Sequence, residues 1–211
     1  THGSRLVLGA FVAGLAAGIR VQTALLTGPL LALVLFQQRR AGVVWRFSRP
    51  VASFLAGVAA WGIPLIADSG GVDGYLRALN SQAGEDFAWV NMLWLDPTPR
   101  RLAFAMYETF VLPWGSNVLA GAIAVAATVG LVLALFRRRD SLALLLVAFA
   151  PYVAFHLLFQ ETVMVRYALP TVPLIAWLAA SGVASARRFA SLGAAALVVW
   201  SLIVGIPPAV A

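Results

Sequence analysis

Apolar stretches that approach or reach the length of a membrane span recur along this chain, and they constrain its fold more than any other feature. A helix needs about 20 predominantly apolar residues to cross the hydrocarbon core of a bilayer. Within lipid, each backbone N–H and C=O must be satisfied inside the spanning structure. The sequence therefore predicts an all-α fold, a polytopic transmembrane helix bundle of about seven membrane segments. They lie near residues 5–19, 21–36, 51–67, 117–136, 141–160, 168–184 and 190–207.

The composition supports a membrane protein. Of the 211 residues, 62% are hydrophobic and 11% are charged, whereas a soluble domain carries about 25% charged residues. Cysteine is absent, which excludes disulfides and thiolate metal sites. We predict no cofactor and no metal site, and we read the adjacent acids Glu85 and Asp86 as solvated. The net charge of +7 does not indicate a nucleic-acid partner, because the arginines cluster at the ends of spans as topology signals do.

The first two segments are short and separated by only a few residues. Fused into one helix over residues 5–36, they would extend about 48 Å at 1.5 Å per residue, which exceeds the roughly 30 Å hydrocarbon core. A short hairpin with Arg20 and Gln22 at its tip is the preferred interpretation. A long, tilted and kinked helix is the alternative.

Three arginine clusters set the predicted orientation. They follow the second, fourth and sixth segments, so alternation of the spans puts them on one side, which the positive-inside rule makes cytoplasmic. Arg5 falls on the same side. Seven of the eight acids then lie outside, and Asp140 lies inside. The clusters are Arg39, Arg40, Arg46 and Arg49; Arg137, Arg138 and Arg139; and Arg187 and Arg188.

The chain is predicted to be one transmembrane domain with a long extracytoplasmic loop over residues 68–116. Two stretches of this loop repeat apolar residues at helical spacing and predict short amphipathic helices on the outer interface. An anchored loop and a lid over a site both remain open. The stretches are Val72, Tyr75, Leu76 and Leu79, and Leu102, Ala105, Met106 and Thr109; Trp89, Trp94 and Trp114 belong to the same interface.

Polar residues between the fifth and sixth segments are the strongest candidates for a site. His156 and Gln160 share a helix face, and Glu161 and Arg166 flank an outer turn where they can pair. The competing interpretation is a snorkelling Arg166 with a structural Glu161 and with Tyr167 in the aromatic belt.

Arg20 and Gln22 fall on the same side as Arg166 in the predicted topology. Two arginines at one outer level suit a phosphate, because a guanidinium donates two parallel, charge-assisted hydrogen bonds. A phosphate at that depth beside apolar walls is that of a lipid head group. We therefore predict that Arg20 and Arg166 converge on one outer-leaflet pocket.

Two stretches, "AAGIRVQTALLTGPLLAL" and "HLLFQETVMVRYALPTVPLIAWLAA", resemble segments of bacterial membrane glycosyltransferases of the GT-C superfamily. This superfamily includes the protein O-mannosyltransferases and the lipid A aminoarabinose transferase. The first match is Gly-x-Arg-x-Gln at the end of a short span, at Gly18, Arg20 and Gln22. The second is Arg-Tyr-x-x-Pro at the start of a late span, at Arg166, Tyr167 and Pro170.

The resemblance implies a multi-pass protein of the bacterial inner membrane that transfers a sugar from a polyprenyl-phosphate donor to an extracytoplasmic acceptor. The substrate-binding residues would be Arg20, Gln22, Gln160, Glu161, Arg166 and Tyr167, in contact with the donor and with membrane lipids. Such enzymes carry a catalytic carboxylate in the first outer loop. No acidic outer loop precedes Arg20, so we expect the chain to be part of a longer protein with that residue before Thr1.

Two other classes of function remain open. A lipid or sugar transporter or flippase usually needs ionisable groups near the membrane midplane, and these spans carry their charges near their ends. A non-catalytic membrane subunit would lack the catalytic carboxylate. The catalytic residue, the sugar, the acceptor and the oligomeric state are not assigned by the sequence.

Overall fold

The computed structural model describes residues 2–40, 48–89 and 92–210, and the described residues form helices and short turns without a strand. Arg46 lies outside the described residues. The chain divides into two compact units, Thr1–Val90 and Asn91–Ala211, and each is described by itself. The helices are α1 His2–Ile19, α2 Ala24–Arg40, α3 Ser48–Asp68, α4 Val72–Trp89, α5 Pro99–Phe110, α6 Asn117–Arg137, α7 Arg139–Phe159, α8 Val165–Ala168, α9 Val172–Ala184 and α10 Ala190–Val210.

The predicted all-α transmembrane fold is confirmed. Within residues 2–40, 48–89 and 92–210, six helical stretches are long and apolar enough to cross a membrane, and the first apolar segment forms the shorter helix Gly3–Ile19. The chain is therefore a multi-pass membrane protein. The six stretches are Val21–Arg40, Ser48–Asp68, Asn117–Arg137, Arg139–Phe159, Val165–Ala184 and Arg187–Gly205.

In the first unit, α1 and α3 pack side by side and run in the same direction. The Ser53 hydroxyl donates to the carbonyl of Val7 (2.8 Å), and farther along both helices the Trp61 indole N–H donates to the carbonyl of Gly14 (3.0 Å). The backbones approach so closely that a Cβ on Gly14 would collide with the carbonyl oxygen of Phe54. Small residues at a helix contact allow this approach, which strengthens packing where lipid removes the hydrophobic driving force.

The chain reverses between α1 and α2, as the hairpin interpretation predicts. Arg20 is extended (φ −158°, ψ 119°) and interrupts the helix, and a single 3-10 turn over Val21–Thr23 leads into α2. Near the other end of α2, Gln38 lines a cavity of about 850 Å³ together with Ser4 of α1 and Arg49 of α3. The end of α2 thus lies near the start of α1, which a single long helix does not allow.

In the second unit, α6 and α9 repeat this parallel arrangement. A Cβ on Gly130 would collide with the carbonyl oxygen of Leu178, and a Cβ on Gly182 with that of Ala126. Helix α7 carries the chain back from the end of α6 toward the start of α9. The core of the unit is formed by Leu119, Ile123 and Ala179, with Trp114, Ile175, Leu197, Trp200 and Val204 packed against it.

Both amphipathic stretches of the loop form helices, and both are longer than the stretches that the sequence marks. Their apolar sides are exposed: in α5, Leu102 and Met106 are 45% and 43% exposed, and in α4 Leu76 is 49% exposed. The marked stripe of α5 is therefore divided, because its two largest members, Leu102 and Met106, are exposed. Ala105 and Thr109 are buried instead, because the protein-facing side of α5 makes polar contacts with α7.

Gly130→Ala should lower the free energy of unfolding by about 1–3 kcal/mol, as overpacking at a tight contact does. Gly121→Ala is the matched control on the same helix, because a Cβ there meets nothing within 4 Å. Thermal unfolding of both variants in detergent measures the difference. Equal stability of the two would contradict the close contact of α6 with α9.

The topology prediction is tested with single cysteines at Ser81 and Ser141, labelled in intact cells with a membrane-impermeant thiol reagent. The arginine clusters predict labelling at Ser81 and protection at Ser141. Labelling at Ser141 with protection at Ser81 would invert the orientation.

Candidate functional site

Polar side chains gather where α5, the end of α7 and α8 meet. Thr98 caps α5 by accepting a hydrogen bond from the backbone N–H of Arg101 (3.2 Å), and Pro99 occupies the first turn. Helix α7 ends at Phe159, and the next residue, Gln160, is extended (φ −115°, ψ 157°). This end of the unit is opposite to the one where Arg137 and Arg187 line a common cleft.

The first group of this site is a triangle of Arg101, Glu108 and Thr162. The guanidinium of Arg101 lies 3.7 Å from the Glu108 carboxylate, and both side chains are 15% exposed. The Thr162 hydroxyl donates to the same carboxylate oxygen of Glu108 and accepts a hydrogen bond from Arg101 Nη2 (3.3 Å). Charge-assisted hydrogen bonds are stronger than neutral ones, so the triangle ties α5 to the turn after α7.

The second group is a buried relay of Thr109, His156 and Gln160. Thr109 Oγ1 lies 3.0 Å from His156 Nε2, and His156 Nδ1 lies 2.9 Å from Gln160 Oε1. With the amide oxygen as acceptor, Nδ1 donates and Nε2 accepts from Thr109, which satisfies a neutral imidazole. His156 is fully buried, and both ring nitrogens face protein partners, so the relay positions α5 on α7.

The third group centres on Tyr167, in the short helix α8. The Tyr152 hydroxyl donates to the backbone carbonyl of Tyr167 (2.7 Å), which fixes α8 on α7. The guanidinium of Arg166 lies over the Tyr167 ring at 5.0 Å from its centroid, and Arg166 Nη2 donates to the Tyr167 hydroxyl (3.3 Å). Arg166 is exposed, so this contact orients a solvent-accessible guanidinium.

The candidate residues of this turn have three different environments. Gln160 is buried at 6% exposure, while Glu161 and Tyr167 are half-buried and Arg166 is exposed. The sequence allows Glu161 and Arg166 to pair, and the structure shows an ion pair between Arg101 and Glu108. Arg166 contacts its neighbour Tyr167 within the helical turn of residues 165–168.

Arg20 and Gln22 belong to the other compact unit. Both are half-buried, and the carbonyl of Arg20 accepts a hydrogen bond from the backbone N–H of Thr23 (2.8 Å). This contact stabilises the turn at the tip of the hairpin. Their convergence with Arg166 stays a prediction.

Sequence reasoning missed Arg101, Glu108, Thr109 and Thr162 as members of this cluster. One signal was available: Arg101 and Glu108 are seven residues apart, so they lie on one face of a helix. Nothing in the spacing indicated that Thr162 would join them, since it is distant in sequence. Among the described residues, no group of three or more His, Asp or Glu side chains is arranged to hold a metal ion, and the side chains of Glu85 and Asp86 lie outside the described residues.

Comparison of the chain with protein-family models, curated proteins and solved structures finds no match.

Thr109→Val should lower the free energy of unfolding by about 1–3 kcal/mol, because it removes the hydroxyl and leaves a buried nitrogen of His156 without its partner. Thr128→Val is the matched control: this exposed hydroxyl bonds only to the carbonyl of Ala124 in its own helix. The control should stay within about 0.5 kcal/mol of wild type. An equal loss in both variants, measured by thermal unfolding in detergent, would remove the relay as a stabilising feature.

Proposed function

We propose that this chain belongs to a membrane glycosyltransferase that transfers a sugar from a polyprenyl-phosphate donor to an acceptor outside the bacterial inner membrane. The observation that carries the proposal is the gathering of charged and polar side chains at one end of the second unit. That end is opposite to the arginines of the same unit at 137–139 and 187–188, and so it is the extracytoplasmic end in the predicted topology. The likeness of the Arg166-Tyr167-x-x-Pro170 stretch to GT-C glycosyltransferases supports the same proposal.

Arg166 is the residue assigned to the lipid phosphate. Its guanidinium is exposed on α8 and oriented by the ring and hydroxyl of Tyr167. An arginine oriented in this way has lost part of its rotational freedom before a ligand arrives, which favours a bidentate contact with phosphate. Arg20 and Gln22, at the tip of the first hairpin, are proposed to contribute from the other unit.

An apolar pocket at the same end suits a lipid substrate. It has a volume of about 560 Å³ and extends between the start of α5, the segment before it and the end of α7. Trp94, which packs against Phe159 with ring centroids 5.1 Å apart, forms one wall. We assign this pocket to the first isoprene units of the donor. Its lining residues are Leu93, Trp94, Pro97, Thr98, Pro99, Leu102 and Leu158.

The proposed reaction forms a bond between an acceptor oxygen and the anomeric carbon of the sugar. The bond from that carbon to the phosphate oxygen breaks, and the polyprenyl phosphate leaves with the electron pair. Arg166 would stabilise the negative charge that develops on the leaving phosphate. A carboxylate is expected to take the proton of the acceptor, and we assign this role to no residue of the chain. Glu108, already bonded to Arg101 and Thr162, has a positioning role instead.

Arg166→Lys in the full-length protein should reduce sugar transfer about 10- to 150-fold, although the charge is retained. Lysine is a point charge without the planar fork, and losing one charge-assisted hydrogen bond costs about 1.5–3 kcal/mol. Transfer from a polyprenyl-phosphate-linked sugar is measured in native membranes at matched expression.

Arg188→Lys is the matched control for this experiment. It makes the same change at the cytoplasmic end in the predicted topology, and it should leave transfer unchanged. Wild-type activity of Arg166→Lys would exclude Arg166 from the site and leave it as a snorkelling arginine. Movement of the lipid-linked sugar across vesicles without any transfer would favour the transporter alternative.

A further inference from the structure

A small cleft opens between the parallel helices α6 and α9 at their C-terminal ends. Its volume is about 210 Å³, and three arginines line it: Arg137 and Arg138 from the end of α6, and Arg187 from the turn after α9. The remaining wall is formed by Gly130, Leu133, Ala134, Ser181, Ala184 and Ser185. The cleft exists because Gly130 and Gly182 bring the two backbones into contact just above it.

The charge around this cleft is unbalanced. Three arginines and no acidic residue are among the residues that line it. Like charges around one concavity repel each other, and the repulsion is strongest where the low-dielectric walls of the bundle and the lipid limit screening by water. An anion bound in the cleft removes this repulsion.

The backbone at Arg187 gives a second, independent indication. Arg187 has φ 43°, in the left-handed region, and it is the only non-glycine residue with positive φ among residues 2–40, 48–89 and 92–210. Such conformations are costly for residues with a side chain and concentrate at functional sites. The 3-10 turn that begins at Arg187 follows α9 after two residues, and Arg187 is one of the residues that line the cleft.

We propose that this cleft binds the phosphate of an anionic glycerophospholipid in the leaflet next to the arginine clusters. The volume of the cleft accommodates a phosphate with one glycerol. Leu133 and Ala134 provide an apolar wall above the arginines, and Leu135 and Phe136 of the same helix are exposed for contact with acyl chains. Basic pockets between transmembrane helices on the cytoplasmic side are suited to such lipids. The proposal does not depend on the transferase activity.

The experiment compares two variants that make the same chemical change on neighbouring residues. Arg187→Asn removes a charge from the cleft, and asparagine tolerates the left-handed conformation, so the turn is preserved. Arg188→Asn removes a charge that does not line the cleft. The purified, delipidated protein is titrated with dioleoylphosphatidylglycerol or dioleoylphosphatidylcholine, and bound lipid is counted by native mass spectrometry.

Wild type should bind phosphatidylglycerol at least about tenfold more tightly than phosphatidylcholine, and Arg187→Asn should lose about tenfold or more of the phosphatidylglycerol affinity. Arg188→Asn should lose no more than the general attraction of one surface arginine for anionic lipid, about fivefold. Equal losses in both variants, or equal binding of the two lipids by wild type, would overturn the proposal.

Inorganic phosphate separates a lipid site from a site for a free anion. Phosphatidylglycerol should raise the melting temperature of wild type but not of Arg187→Asn, while millimolar inorganic phosphate should leave the melting temperature of both unchanged. Equal stabilisation of wild type by phosphate and by phosphatidylglycerol would assign the cleft to a free anion and overturn the lipid assignment.

Discussion

Direct backbone contact between parallel helices is the constraint on which each unit depends. Lipid is as apolar as the side chains that it surrounds, so burying leucine against leucine gains little inside a membrane. Close approach gains dispersion contacts instead, and it requires positions without a Cβ. Gly14 and Gly57 provide them for α1 and α3, and Gly130 and Gly182 for α6 and α9. Because the members of each pair are parallel, an intervening helix must return the chain, and this requirement gives each unit its out-and-back course.

The sequence predicts the membrane spans, but it does not predict which helices contact each other, and the reason is physical. The length of an apolar stretch is a local property, so the six long spans and the break at Arg20 could be read directly. The partner of a glycine is a non-local property: Gly62 and Gly121 have open space where a Cβ would lie, whereas Gly57 and Gly130 are in backbone contact. The same limit applies to the site. Gln160 was found because it shares a helix face with His156, but its burial and the link to Thr109 depend on where α5 packs.

The two ends of the second unit use arginine in different ways. Near α5 and α8, Arg101 pairs with Glu108, and Arg166 lies on Tyr167, so protein groups orient both side chains. At the opposite end, three arginines share one cleft without a carboxylate in its lining. The positive-inside rule accounts for the number of arginines at that end, but it does not determine how they are arranged. Their convergence in a cleft, with a strained backbone at Arg187, is the feature that a topology signal alone does not require.

Helix α5 packs on the protein through its polar side, and the two largest residues of its apolar stripe are exposed. In water, a helix of this composition would turn Leu102 and Met106 toward the protein. At a membrane interface both can contact lipid, so exposing them carries little cost. Polar groups at this interface are stabilised by hydrogen-bond partners in the protein, because an unsatisfied polar group costs more free energy near hydrocarbon than in water. Thr109 and Glu108 accordingly bond to His156 and Thr162. The resulting attachment is directional, and it holds the start of α5 beside the apolar pocket at the end of α7.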